Sequence, residues 1–218
     1  MRKSVLFIAM SLDGYIARRD GGVDWLSGQD PADPGIDFYS EFIGSADTVI
    51  MGWNTYLQIT EELSPVQWPY EALTCYVITH RQLPSSDAIQ FVQESPCDLV
   101  RGLKRQPGKS IWICGGSNII QPLIRENLID EYDISIIPTL LGSGIRLFEE
   151  SDRELRLHLL RERSSNGITE LLYSAVSTLR FNNLRAPAEL GPGRFPTVWG
   201  KCHEVTKGRS PRGAGGMS

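Results

Sequence analysis

Two glycine-ended apolar runs hold the residues best suited to chemistry. One reads Ser110-Ile111-Trp112-Ile113-Cys114-Gly115-Gly116-Ser117-Asn118-Ile119-Ile120. Its first part is too short for a helix and reads as a buried strand. Gly115 and Gly116 then remove two Cβ atoms where the chain turns, so a ligand can approach the backbone. Ser117 or Asn118 is able to cap a helix starting there, and Ile119, Ile120, Leu123, Ile124 and Leu128 form its apolar stripe. The other run, Thr48-Val49-Ile50-Met51-Gly52, leads into Trp53-Asn54-Thr55-Tyr56, with Asn54 or Thr55 as the cap. A strand–glycine–helix junction offers unpaired N–H groups and the positive end of a helix dipole, which together suit an anion, most often a phosphate. The same pattern also serves as a plain tight turn. No cysteine spacing suits zinc, and no His or other base adjoins Cys114 in sequence, which argues against a nucleophilic thiol. His158 falls in a strand and reads as structural.

The elements that must position these junctions emerge from the apolar pattern. Val5-Leu6-Phe7-Ile8-Ala9-Met10 is a central strand. Asp13-Gly14 turns the chain after it. Residues 36–43 place Ile36, Tyr39, Phe42 and Ile43 on one helical face. Thr74-Cys75-Tyr76-Val77-Ile78-Thr79 is a third strand, ending in His80-Arg81, and residues 89–92 are a fourth. A helix starts at Ser95 or Asp98 and stops before Pro107-Gly108. Pro122 falls near the first turns of the helix after Gly116, where a missing N–H costs least. Tyr132-Asp133-Ile134-Ser135-Ile136-Ile137-Pro138 alternates and reads as a strand with one wet face. Residues 155–160 and 167–176 form an antiparallel pair turning through Ser164-Ser165-Asn166-Gly167. Early alternation and late hairpins imply an α/β fold: a mixed, mostly parallel sheet with antiparallel C-terminal strands and helices on both faces.

Composition sets the outer limits. A chain of 218 residues, 41% hydrophobic and 22% charged, fits one globular domain, or one domain with an appendage. The boundary is expected near residue 178. Residues 180–218 hold seven Lys or Arg against two Glu, leaving −9 for the remainder of a chain whose total is −4. The same segment contains seven Gly and four Pro and no apolar period, so residues 179–218 are expected to be a disordered tail. The overall charge gives no sign of nucleic acid binding, and residues 4–10 are too short to span a membrane. Four scattered cysteines suit a reducing compartment, so a cytoplasmic protein is expected.

Four motifs in this order resemble the dihydrofolate-reductase-like superfamily, and most closely the reductase domain of bacterial riboflavin biosynthesis. They are Ser11-Leu12-Asp13-Gly14-Tyr15-Ile16-Ala17; Val49-Ile50-Met51-Gly52 with Thr55 beyond it; Ile113-Cys114-Gly115-Gly116-Ser117; and Pro138-Thr139-Leu140-Leu141-Gly142-Ser143-Gly144 before Leu147-Phe148. The resemblance covers residues 3–177. It implies a three-layer fold and an NADPH-dependent reductase, with NADH possible. Carried over, the diphosphate lies between the junctions at Gly52, Trp53, Asn54 and Thr55 and at Gly115, Gly116, Ser117, Asn118 and Ile119. Ala9 and Ile16 flank the nicotinamide, Cys114 is a small wall residue, and Thr79, His80 and Arg81 read the adenosine ribose. Arg81 is the natural partner of a 2′-phosphate. The family pattern has Arg or Lys where this chain has Trp53, which can stack on adenine or lie against the sheet but supplies no charge.

Two acids are candidates for the chemistry. The resemblance puts Asp13 at the substrate end of the pocket, within reach of a ribityl or ribose hydroxyl; it is equally a turn former. Asp37 lies close to the position of the buried acid that grips a pterin in dihydrofolate reductases, and is equally a helix-start residue. Arg18, Arg19 and Arg146 are candidates for a substrate phosphate. No zinc-deaminase pattern occurs. Three functions stay open: a stand-alone reductase acting on a pyrimidine or pterin-like heterocycle, a dihydrofolate reductase proper, and a non-catalytic nucleotide-binding dimer. The resemblance to the riboflavin branch, with the edge that the late strands offer, implies a homodimer.

Overall fold

In a computed structural model, which describes residues 1–176, eight strands form one sheet in the order β5-β4-β3-β6-β1-β7-β10-β9. The expected tail and Cys202 lie outside the described residues. The strands are β1 (Ser4–Ser11), β3 (Ala46–Gly52), β4 (Thr74–Ile78), β5 (Ile89–Val92), β6 (Ser110–Gly115), β7 (Glu131–Ile137), β9 (Leu157–Ser165) and β10 (Ile168–Ala175); β2 (Tyr15–Ala17) and β8 (Ile145–Arg146) pair separately. The six strands from β5 to β7 run parallel, and β10 and β9 add antiparallel at one edge.

Central strands apolar on both faces require a cover on both. On one face Leu6, Ile50, Ile111, Ile113, Tyr132 and Ile134 meet Leu99, Val100 and Leu103 of α3 (Pro96–Lys104) and Ile119, Ile120 and Leu123 of α4 (Ser117–Arg125). On the other, Val5, Val49, Met51, Val77 and Trp112 meet Phe42 of α1 (Phe38–Ile43) and Ile59, in the π-helical extension of α2 (Trp53–Gln58). This is the three-layer α/β arrangement that the strand pattern and the resemblance imply.

Local expectations changed in several places. The first helix starts later than the pattern suggests and buries Phe38 and Phe42, while Ile36 and Tyr39 stay exposed. Ser95 caps α3 as expected, accepting from the Asp98 N–H. Pro122 sits inside α4, where its missing N–H leaves the Asn118 carbonyl without that donor; the helix ends three residues later, and Asn127 adopts φ 50 beyond it. The late hairpin turns on Asn166-Gly167 alone, with φ 48 and 76, so the Ser-Ser pair belongs to β9.

The largest correction concerns β7, whose expected wet face is covered. Asp133 is only 5% exposed. Beside it the carboxylate of Glu170, also buried, receives two hydrogen bonds from Arg163, at 2.7 and 2.9 Å, and one from Arg161 at 3.3 Å. Arg163 reaches on to Glu41 of α1 and lies over the Phe38 ring at 4.8 Å. The cluster therefore ties the first helix to the last hairpin. Asp133 gains little from it: Oδ2 is 3.8 Å from Arg161, and Oδ1 has no partner. Burial, then the charge of Glu170, pushes the Asp133 carboxyl up to about 7.

A buried acid with a raised pKa takes up a proton on folding, so its contribution falls as pH rises from the unfolded value near 3.8 to about 7, then levels. Asp133→Asn keeps the shape of the protonated acid. It is expected to raise stability above pH 7 by roughly 1–4 kcal/mol and to flatten the pH dependence between these values, as thermal unfolding across pH would measure.

Candidate functional site

Strands β3 and β6 are parallel neighbours, with Ile50 opposite Ile113 and Met51 opposite Gly115. Their ends, and the helices that start from them, therefore emerge side by side. A Cβ built on Gly52 would lie 3.3 Å from Ile119 Cγ1 and 3.9 Å from the Gly116 nitrogen; one on Gly116 would lie 3.5 Å from Thr55 Oγ1. The two helix starts are thus nearly in contact, and a side chain at Gly52 would stand between them.

The expected caps are corrected here. Gly52 is the N-cap of α2 and Gly116 that of α4, and neither helix start has a side-chain cap. Asn54 and Thr55 lie inside the first turn of α2, as Ser117 and Asn118 do in α4. Ser117 Oγ faces Glu149 at 3.4 Å instead. Glycine caps leave first-turn N–H groups uncovered, which is what an anion at this place requires. Ile119 is buried beneath the junction against Gly52.

The turn after β4 adds a cation. Thr79 is buried, and its hydroxyl accepts from the Arg81 N–H at 3.2 Å. His80 and Arg81 are exposed. The Arg81 guanidinium lies over the Trp53 ring, 4.8 Å from its centroid. Nothing in the residue spacing announced this pair, because it joins two loops through an arginine and an aromatic ring 28 positions apart in the chain.

Ala9 is half-buried in the C-terminal half of β1, two positions beyond Phe7, whose ring stacks on Phe42 at 4.2 Å. Ile16, in the middle of β2, is half-buried against the α3–α4 side of the core. Cys114 is half-buried on the opposite face, and burial pushes its thiol up to about 12, so it is a neutral wall and no nucleophile.

Asp13 and Asp37 have their carboxylates engaged. Asp13 Oδ1 accepts from Ser11 Oγ at 2.6 Å and from the Leu141 N–H at 3.1 Å, and Oδ2 accepts from the Gly142 N–H at 2.7 Å. The Ser11 hydroxyl and these two amides hold the carboxyl at about 2. Ser11 Oγ in turn receives the Tyr15 N–H. Asp13 is thus a clamp between the β1–β2 turn and the loop at residues 138–144, and the hydroxyl-binding role is not the one its contacts show. Asp37 is the exposed N-cap of α1, accepting from the Ser40 N–H at 3.0 Å and from Ser40 Oγ, which lower its pKa. It is not a buried acid. The buried acids on the sheet are Asp133 and Glu170, and the only sequence signal of each is a charge inside an apolar strand.

At the end of β2, Arg18, Arg19, Asp20, Leu141 and Ser143 line a shallow depression of about 270 Å³. Arg18 is held by Asp24 at 2.7 and 3.1 Å, and Arg146 lies over the Tyr15 ring at 4.8 Å. Arg19 has no ion pair among the described residues.

Comparison with known proteins agrees with the fold. The family model for the RibD C-terminal domain matches residues 2–169. The Bacillus subtilis (strain 168) protein YwjB is 40% identical over 173 residues, 79% of this chain and 97% of that protein. The crystal structure of a putative riboflavin biosynthesis protein from Shewanella sp. PV-4 superposes with a TM-score of 0.69 at 29% identity, covering 80% of this chain and 99% of that one. A Thermotoga maritima diaminohydroxyphosphoribosylaminopyrimidine deaminase/5-amino-6-(5-phosphoribosylamino)uracil reductase shares the fold, with a TM-score of 0.58 at 15% identity; 80% of this chain aligns with 57% of that one.

If Asp13 is a clamp, Asp13→Ala releases the loop it holds. The amides of Leu141 and Gly142 are expected to exchange with solvent at least ~10-fold faster while the sheet amides keep their protection, as hydrogen–deuterium exchange would show.

Proposed function

The chain belongs to the RibD C-terminal domain family, and on that premise we propose that it is a nicotinamide-dependent reductase delivering a hydride to a pyrimidine or pterin-like heterocycle. The observation that carries this reading is the contact between the two glycine-capped helix starts. A diphosphate needs several backbone N–H groups converging from more than one direction and no side chain in the way. Gly52 and Gly116 meet both needs, since a methyl on Gly52 would fall between the helices. The residues fit a dinucleotide: Gly52, Trp53, Asn54 and Thr55 on one side of the diphosphate, and Gly115, Gly116, Ser117, Asn118 and Ile119 on the other.

In this reading Ala9 and Ile16 bound the nicotinamide, Cys114 walls the pocket as a neutral thiol, and Thr79, His80 and Arg81 take the adenosine ribose. When bound, the reduced nicotinamide supplies the hydride. The chain's own part is to orient and exclude water. Asp13 serves by fixing the loop at residues 138–144, and Arg19 and Arg146 give the substrate end a positive field. The engagement of Asp37 in capping removes the support that a dihydrofolate reductase reading had from that residue. Among the described residues no helix is long and apolar enough to cross a membrane. A cytoplasmic homodimer completes the proposal, supported by the edge position of β9 with Leu159 and Leu160 exposed; light scattering on the full chain tests it, and a monomer mass would remove it.

Titration with NADPH, monitored by quenching of the five tryptophans, tests the cofactor site. Gly52→Ala keeps an allowed backbone (φ −84, ψ 165) and needs Ile119 to yield only slightly, so its stability cost should stay near ~1 kcal/mol. NADPH affinity is expected to fall at least ~10-fold, and unchanged affinity would remove the diphosphate from this place. Turnover, monitored by loss of nicotinamide absorbance with 5-amino-6-(5-phosphoribosylamino)uracil and with dihydrofolate, separates the substrates. Asp37→Asn should leave the active reaction within about twofold of the parent, less than the loss expected on removing a proton-transfer group.

A further inference from the structure

The family pattern has a cation where this chain has Trp53, yet the structure places a cation there by another route. We infer that Trp53 is a positioning residue that holds Arg81 for a phosphate ester on the cofactor's ribose, so that the Trp53–Arg81 stack selects NADPH over NADH. The inference rests on the proposed dinucleotide site and adds its specificity.

The Arg81 guanidinium sits 4.8 Å from the centroid of the Trp53 ring. The ring is itself fixed, with Tyr56 at 5.6 Å and Phe91 at 6.3 Å between centroids. From the other side the Thr79 hydroxyl holds the Arg81 backbone N–H, so both the turn and the side chain of Arg81 are restrained. No acid pairs with Arg81 among the described residues. That choice of partner matters. A carboxylate would orient the guanidinium but cancel its charge and use its N–H donors, whereas an aromatic face orients it, leaves the charge intact and leaves the in-plane donors open. An arginine restrained in this way loses less side-chain entropy on meeting a planar oxyanion.

Position supplies the ligand class. Trp53 comes directly after Gly52, so the stack stands one residue from the diphosphate cradle, on the turn of the adjacent strand β4. A ligand that fills the cradle and also needs Arg81 must carry a second anionic group separate from the diphosphate. A phosphorylated dinucleotide has one, and its unphosphorylated counterpart does not.

The test is calorimetric titration of the full chain with NADPH and with NADH, which does not depend on Trp53 as a fluorophore. Trp53→Leu is expected to lower NADPH affinity by about tenfold more than it lowers NADH affinity, and Trp53→Tyr, which keeps an aromatic face, should recover most of that difference. Arg81→Ala should erase the preference for NADPH, and adding Trp53→Leu to it should change the preference no further. Equal losses for both dinucleotides in Trp53→Leu, or a further loss of preference in the double variant, would overturn the inference while leaving the cofactor site intact. Arg81→Ala and Trp53→Tyr decide the matter even if Trp53→Leu fails to fold. Failure of the parent chain to bind either dinucleotide would remove the cofactor reading itself and this inference with it.

Discussion

The candidate site depends on how closely two backbones can approach. Parallel strands β3 and β6 lie one sheet spacing apart, so the helices leaving their ends must start at nearly the same place. Side chains at both junctions would force the starts apart. With glycine at Gly52, Gly115 and Gly116 they come close enough that a Cβ on one junction would approach the main chain of the other. The rest of the core then has a definite task. Ile119 fills the space beneath Gly52, and Ile120 and Leu123 seat α4 on the sheet, so the junction is held from below by packing. The energy of the site is stored in ordinary apolar burial on both faces of the sheet, and the open N–H groups are the part of the fold that burial does not satisfy.

The crossing of the β1–β2 turn with the loop at residues 138–144 is organised by charge instead. Asp13 uses both carboxylate oxygens to join the turn after β1 to the loop before β8, and the low pKa that results means that it stays ionised through the neutral range. Gly144 lies in the same crossing: a Cβ there would stand 2.2 Å from the Ala17 carbonyl oxygen. The motif from Ser11 to Ala17 and the motif from Pro138 to Phe148 are therefore two halves of one construction. Each was visible in the chain alone, but nothing in either shows that an aspartate from the first binds amides from the second.

That difference describes what was legible. Periodicity gave the strands, the helices on both faces and the late hairpin, because apolar burial acts through local pattern. The two glycine junctions were legible for the same reason, as interruptions of that pattern. Capping was misread at both, since Asn54, Thr55, Ser117 and Asn118 are good capping residues by type, and type does not reveal that glycine already occupies the cap. Asp133 was misread because a charge in an alternating strand ordinarily faces water. Here Glu170, Arg161 and Arg163 arrive from strands over 25 residues further along to cover it. Contacts of this range have no local signature.

The arginines show how a partner decides a role. Arg163 lies on Phe38 and is also bound to Glu170 and Glu41, so its charge is spent inside the protein and its effect is to fix α1 against the last hairpin. Arg146 and Arg81 lie on Tyr15 and Trp53 with no such acids among the described residues, one beside the β2–β8 pair and one beside the Gly52 junction. The aromatic contact is nearly the same in all three, at 4.8 Å. What differs is whether a carboxylate completes it. A cation held by a ring and by no carboxylate keeps its charge and its in-plane donors, which is the condition for meeting an anion from outside the fold.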